Sequence, residues 1–359
     1  MKRVWNVIGM MSGTSLDGLD IAHCQFTEYD GKFEAYKIIK AVTVKYSQKE
    51  KNWLSLMDKS AVQMAQADFD FGRFSGQKVK DFVEGNTCKI DLVASHGHTV
   101  FHQPGNGFTT QIGNGAAISA ICGFPVVSDF RSMDVCLGGQ GAPLVPIGDM
   151  LLFENYQYCL NLGGIANVSI KDSSVGIKAF DICPVNLILN RLSKEKGYDY
   201  DEDGRLASRG ALNQSLFDEL NELDFYQLQA PKSLGKEWVD STFFKVVEKH
   251  DDSIENKLTT VCHHIGHQIS MCLSAKGEML VTGGGTMNSY LVKAIASYAK
   301  DKCILKVPEK ELIEFKEALI FAFLGLSRVL NKPNALKSVT GALHDSIGGA
   351  LYGNTSALI

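Results

Sequence analysis

The chain has 359 residues, 45% hydrophobic and 21% charged, enough apolar material for a large core and a length that suits two domains. A formal net charge of −4 argues against a basic surface for nucleic acid or anionic membrane, and no stretch approaches the ~20 apolar residues of a membrane span. Nine cysteines with no C-x-x-C pair read as thiols of a reducing compartment, so a cytoplasmic location is expected.

Val4–Met10 is an apolar run that stops at a Ser/Gly/Thr/Asp cluster, and Leu19–Phe26 resumes with rough alternation. This predicts strand, polar turn, strand, with Gly9–Asp20 (GMMSGTSLDGLD) spanning the turn. Asp91–Ser95 and Phe124–Ser128 read as strands and Gly115–Ile121 as a short helix. A Gly/Pro-rich stretch within Arg131–Pro146 suggests a boundary there. The domains expected are 1–131 plus about 338–359, and 132–337.

Tyr158–Ile170 repeats the first pattern: Leu160 and Leu162 lead into Gly163-Gly164, and Val168–Ile170 follows. Helical segments are expected at Val185–Lys196, Ser241–His250, Thr259–Leu273 and Lys316–Leu330. A third glycine turn, Thr282–Gly285, ends Leu280-Val281 and precedes a helix from Asn288 to about Ala299. Strands alternating with helices point to an α/β sheet, and the repeated pattern to a duplicated domain.

Glycine turns after strands let backbone N–H groups approach an anion, because no Cβ intervenes. Ser12, Thr14 and Ser15 would add hydroxyl donors, and Asp17 and Asp20 could hold the water shell of a magnesium ion. An ordinary hairpin accounts for the same residues. The loop is neither a Walker A motif nor a G-x-G-x-x-G fingerprint. Three such turns lining an interdomain cleft would suit a triphosphate.

Asp181, in Phe180–Pro184, stands where an extended segment meets a helix. It is either a general base or a helix N-cap, and Pro184 favours the cap. Arg131 could fork onto a substrate carboxylate or pair with Asp129 or Asp134. The histidines of Ser95–His102 fit polar contacts better than a zinc pattern, and those at 263, 264 and 267 are expected to flank a core face set by Val261, Ile265 and Ile269.

The blocks GMMSGTSLDGLD, SHGHTVFHQP, QIGNGAAIS, SDFRSMDVCLGGQGAPLVP, LNLGGIANVS, FDICPVN, PKSLGKEW and VTGGGTMNSYL occur in the order found in anhydro-N-acetylmuramic acid kinases, which the chain resembles from Gly9 to about Gly325. The resemblance implies two ribonuclease-H-like domains of the actin-like ATPase type, with an active-site cleft between them. It implies ATP with Mg²⁺, and conversion of 1,6-anhydro-N-acetylmuramic acid and water to N-acetylmuramic acid 6-phosphate during murein recycling. It also implies a homodimer.

By position, the resemblance places Gly13, Thr14, Ser15, Leu16, Asp17, Gly18, Leu19 and Asp20 at the first phosphate hairpin. Gly163, Gly164 and Asn167 fall on a second phosphate loop, and Gly283, Gly284 and Gly285 on the adenosine site. Asp181 falls on the catalytic aspartate, with His96, Gly97, His98, Thr99, Gln111, Arg131 and Glu317 around the sugar. The chain departs from many members in reading FDICPVN for FDTGPGN, and in carrying His98 where glutamine is frequent. Other readings are a kinase of another sugar, an actin-like or chaperone ATPase, and a sugar sensor without turnover.

Overall fold

A computed structural model describes residues 2–13, 16–54, 60–85, 88–174, 176–230 and 232–356. The chain divides into two compact units, Met1–Leu152 with Phe315–Ile359, and Phe153–Glu314. The unit boundaries lie at 152/153 and 314/315, where 131/132 and about 337/338 are expected from the sequence. The Gly/Pro-rich stretch is tied to the C-terminal segment: Gln140 N–H donates to the Thr340 carbonyl at 2.8 Å and Leu343 N–H to the Leu137 carbonyl at 3.1 Å.

The first unit holds strands β1 (Lys2–Ser12), β2 (Gly18–Tyr29), β3 (Lys32–Lys45), β4 (Leu92–Gln103), β5 (Phe108–Ile112) and β6 (Val126–Ser128). The second holds β7 (Tyr158–Leu162), β8 (Ile165–Asp172), β9 (Gly176–Pro184), β10 (Gly277–Thr282) and β11 (Cys303–Lys306), and β12 (Ala350–Tyr352) returns to the first. The first sheet runs β12-β6-β4-β1-β2-β3, with β5 paired to β4; the second runs β11-β10-β7-β8-β9.

Three consecutive antiparallel strands open each sheet, and two parallel strands join on the other side of the first. A helix links the third strand to the fourth in each unit, Ala61–Val83 and Ile254–Met271. Another precedes the outer parallel strand of each unit, Gly115–Cys122 before β6 and Ser289–Ala299 before β11. This shared order is the ribonuclease-H-like topology, present twice.

Covered faces explain the dense apolar sequence of β1, where Trp5, Val7, Ile8 and Met10 are all buried. Ile8 and Met10 pack with Phe71, Val79 and Ile118 of the two helices on one face. The other face meets the helix Lys310–Val329 so closely that a Cβ at Gly9 would lie 1.9 Å from the Ala318 carbonyl oxygen. Gly9 thus serves helix packing, and the turn itself begins beyond Ser12. The second core gathers Leu160, Leu162, Val168 and Ile182 against Val261, Ile265, Ile269 and Ile295. His264 is also buried there, its ring nitrogens 2.8 Å from Asn221 Oδ1 and 2.9 Å from the Tyr226 hydroxyl.

Candidate active site

In the second unit, the strands set a row of polar residues. Asp181 on β9 pairs with Asn167 on β8, Asn167 with Asn161 on β7, and Asn161 with Thr282 on β10. Directly opposed residues share a face of a sheet. Phe180 beside Asp181 packs on the core, so the carboxylate turns to the opposite face.

Asp181 lies inside β9, not at a helix end. The following helix, Asn186–Lys194, has Val185 at its N-cap with no side-chain cap. The N-cap alternative for Asp181 is therefore overturned, because Pro184 ends the strand and does not open the helix. Asp181 Oδ2 accepts from Leu234 N–H at 2.9 Å and from the Ser233 hydroxyl at 3.3 Å. Burial raises its carboxyl above the usual range, while these two donors pull the other way.

The second and third glycine turns meet at the ends of β7 and β10. The Gly164 carbonyl accepts from Val185 and Leu187 N–H, and the Gly163 carbonyl from Asn186 N–H. Gly283 has φ +86°, and a Cβ there would lie 2.5 Å from Asn161 Oδ1. Asn186 Nδ2 donates to the Leu162 carbonyl at 3.1 Å. Asn161 and Asn186 thus belong to this constellation; of the two, only Asn186, the last residue of FDICPVN, is marked by the sequence. Cys183 and Val185, which replace glycines of the resembled pattern, are fully buried in the core.

In the first unit, β1 and β2 pair up to Ser12 and Leu19, and Leu16 N–H donates to the Gly13 carbonyl at 3.3 Å. Thr14 and Ser15 lie outside the described residues. Leu16 takes φ +59°, Asp17 is exposed, and Leu19 is buried in the core, so only its backbone can face a ligand. Asp20 accepts from the Thr43 hydroxyl at 2.5 Å.

His96, Gly97, His98 and Thr99 all lie within β4, with Gln111 opposite Thr99 on β5. His98 Nδ1 is 2.9 Å from Ser12 Oγ, which accepts from the Tyr46 hydroxyl at 2.7 Å. Burial lowers the His98 pKa to about 4 and that of His96 to about 3, the latter aided by Arg131. Both rings are neutral at physiological pH.

Arg131 donates to His96 Nε2 from Nε at 3.0 Å, with Nη2 2.8 Å away, and to the Gly141 carbonyl from Nη1 at 2.7 Å. It makes no ion pair with Asp129 or Asp134 among the described contacts. Asp134 instead accepts from Gly141 N–H and the Thr340 hydroxyl, both at 2.7 Å. Burial lowers the Arg131 pKa to about 10, with Glu317 opposing.

A cavity of about 200 Å³ in this unit is bordered by His96, Gly97, Gln111, Asp68 and Tyr352. Asp68 holds its wall, accepting from Gly113 N–H at 2.8 Å and from Asn114 Nδ2 at 3.1 Å. A larger cavity, about 370 Å³, lies beside Glu219 and Trp238 and contains none of the expected site residues.

The sequence model of the anhydro-N-acetylmuramic acid kinase family matches residues 5–354. Relatives called anhydro-N-acetylmuramic acid kinase include one from Zymomonas mobilis, 34% identical over 96% of this chain and 99% of its own. One from Bacillus cereus is 33% identical, covering 96% and 97%, and one from Haemophilus influenzae 32%, covering 96% and 97%. The chain belongs to the anhydro-N-acetylmuramic acid kinase family and is a phosphotransferase.

Proposed function

We propose that the chain uses ATP and water to convert 1,6-anhydro-N-acetylmuramic acid to N-acetylmuramic acid 6-phosphate and ADP, with Asp181 as general base. The observation that carries the catalytic assignment is the state of that carboxylate. Both of its hydrogen bonds go to Oδ2, so Oδ1 keeps its lone pairs, and burial makes the group a stronger base than an ordinary aspartate.

Asp181 takes a proton from water as the water oxygen bonds to C1. The C1–O6 bond breaks, and O6 bonds to the γ-phosphorus as its bond to ADP is lost. Gly13–Asp20, the turn at Gly163 and Gly164, and Asn167 on β8 hold phosphate, and Gly283–Gly285 hold adenosine. The carbonyls of Gly163 and Gly164 are already used by the next helix, so this turn meets an anion through its N–H edge. His96, Gly97, His98, Thr99, Gln111, Arg131 and Glu317 hold the sugar.

Magnesium fits Asp17 and Asp20 in the manner common for this ion, which keeps several waters and leans on phosphate. No group of three or more candidate ligands among the described residues forms a dedicated metal cage. The ion supplies charge neutralisation on the phosphates. The reading includes a cytoplasmic setting, supported by nine free cysteines, and a homodimer, supported by family resemblance alone.

The test is turnover with Mg-ATP in ¹⁸O-water. The expected result is a 6-phosphosugar carrying ¹⁸O at C1, with ADP release dependent on the anhydro sugar. ADP release indifferent to that sugar overturns the substrate assignment. Product without ¹⁸O at C1 leaves a direct hydroxyl kinase in its place.

A further inference from the structure

The imidazole of His96 is 4% exposed and has one donor and one acceptor when neutral. Its Nδ1 lies 2.9 Å from the Gly97 carbonyl oxygen, which can only accept, so Nδ1 carries the proton. Nε2 therefore presents its lone pair, and it receives both Nε and Nη2 of Arg131. A cation beside the ring and removal from water both disfavour a second proton, in keeping with the lowered pKa. The ring also rests on Phe321, with centroids 4.6 Å apart.

Every polar atom of His96 is thus occupied by protein. Arg131, by contrast, has five N–H groups, of which His96 takes two and the Gly141 carbonyl one. Among the described contacts one N–H on each terminal nitrogen remains, the number a carboxylate would engage.

We infer that His96 is a positioning residue: its neutral Nε2 fixes the Arg131 guanidinium so that two N–H groups stay aimed at the carboxylate of an anionic sugar. This rests on the substrate proposed above and changes the role of His96 from direct sugar contact to action through Arg131. The consequence is selective. Loss of the Nε2 acceptor should weaken recognition of the carboxylate and leave recognition of the sugar ring intact.

The test measures dissociation constants by calorimetry on the full chain, for 1,6-anhydro-N-acetylmuramic acid and for 1,6-anhydro-N-acetylglucosamine, which lacks the carboxylate. His96→Leu should weaken the acidic sugar about tenfold and the neutral one less than about twofold, as expected for a charge-assisted contact. In an Arg131→Leu background the same substitution should add less than about twofold. His96→Gln, which can place an acceptor near the Nε2 position, should restore most of the affinity; His96→Asn, one methylene shorter, should not.

Equal losses on both sugars, or additive losses in the double variant, overturn the inference. If His96→Leu fails to fold, the Gln and Asn variants decide it, and identical behaviour of those two overturns it. Wild-type protein that binds neither sugar defeats the proposed substrate itself, a result separable from any failure confined to the His96 variants.

Discussion

The Asp181 carboxylate accepts a hydrogen bond from the backbone N–H of Leu234 at 2.9 Å, across 53 residues of sequence. That contact fixes the orientation of the proposed base through a backbone group, which side-chain substitution at 234 leaves in place. Asp181→Asn keeps an oxygen able to accept the same bond but removes the basic oxygen. We expect kcat to fall by about 10²–10⁴-fold, with ATP affinity changed by less than about twofold. Because burial disfavours the charged form, the neutral asparagine should not lower the melting temperature at pH 7.5. Steady-state kinetics, calorimetry and a thermal melt on one preparation check all three. An active Asn variant removes Asp181 from the chemistry.

Much of this site was legible because glycine turns announce themselves locally. The three turns follow apolar strands, and each is found where that pattern puts it. What could not be read were partners brought in from far along the chain. Ser12 joins Tyr46 and His98 over 34 and 86 residues, and Asn161 becomes a site residue only through strand register. Asp181 was ambiguous for a different reason: proline can end a strand as readily as open a helix, and only the ladder to Asn167 separates the two.

The fold shows the same division. β1 and β2 are dense in apolar residues because the sheet is covered on both faces. β3 passes unread because almost every position is accessible, and its strand conformation comes from its ladder with β2. The helix Ala61–Val83 buries Ala67, Phe71, Ser75 and Val79 at a spacing of four, a stripe too mixed in polarity to stand out. Its Gly72 and Gly76 look like turn residues. They are there for close packing, since a Cβ at Gly72 would lie 2.8 Å from the Asn114 carbonyl oxygen.

Acid should unfold the chain through buried histidines. His96 and His264 have pKa values lowered to about 3, and His98 to about 4, against 6.5 when unfolded, with burial the leading cause each time. The unfolded state then binds more protons, so this stabilisation is complete above pH 6.5 and is lost as pH falls toward 4 and 3. Each such histidine contributes a slope of about 1.4 kcal/mol per pH unit within that window. Urea unfolding at pH 7, 6 and 5 should show a progressive fall that flattens in His264→Gln for the second unit. A stability unchanged between pH 6.5 and 5 refutes the neutral-histidine assignments.

Lys316 and Asp149 form an ion pair at 2.7 Å with both residues almost wholly buried, 5% and 2% exposed. Lys316 directly follows Phe315, where the helix Lys310–Val329 departs from helical geometry and where the first unit resumes. Removing one partner takes the opposing charge away from a buried one, so Lys316→Met or Asp149→Leu should each cost about 3–5 kcal/mol. Removing both leaves apolar groups of similar size, and Lys316→Met with Asp149→Leu should cost far less than the two singles summed. The first unit can be followed alone in a Trp238→Phe background, because the other tryptophans, Trp5 and Trp53, both belong to that unit. Fluorescence-monitored urea unfolding of the four proteins completes the cycle. A coupling of several kcal/mol is expected, and simple additivity would mean that the two charges are not held against one another.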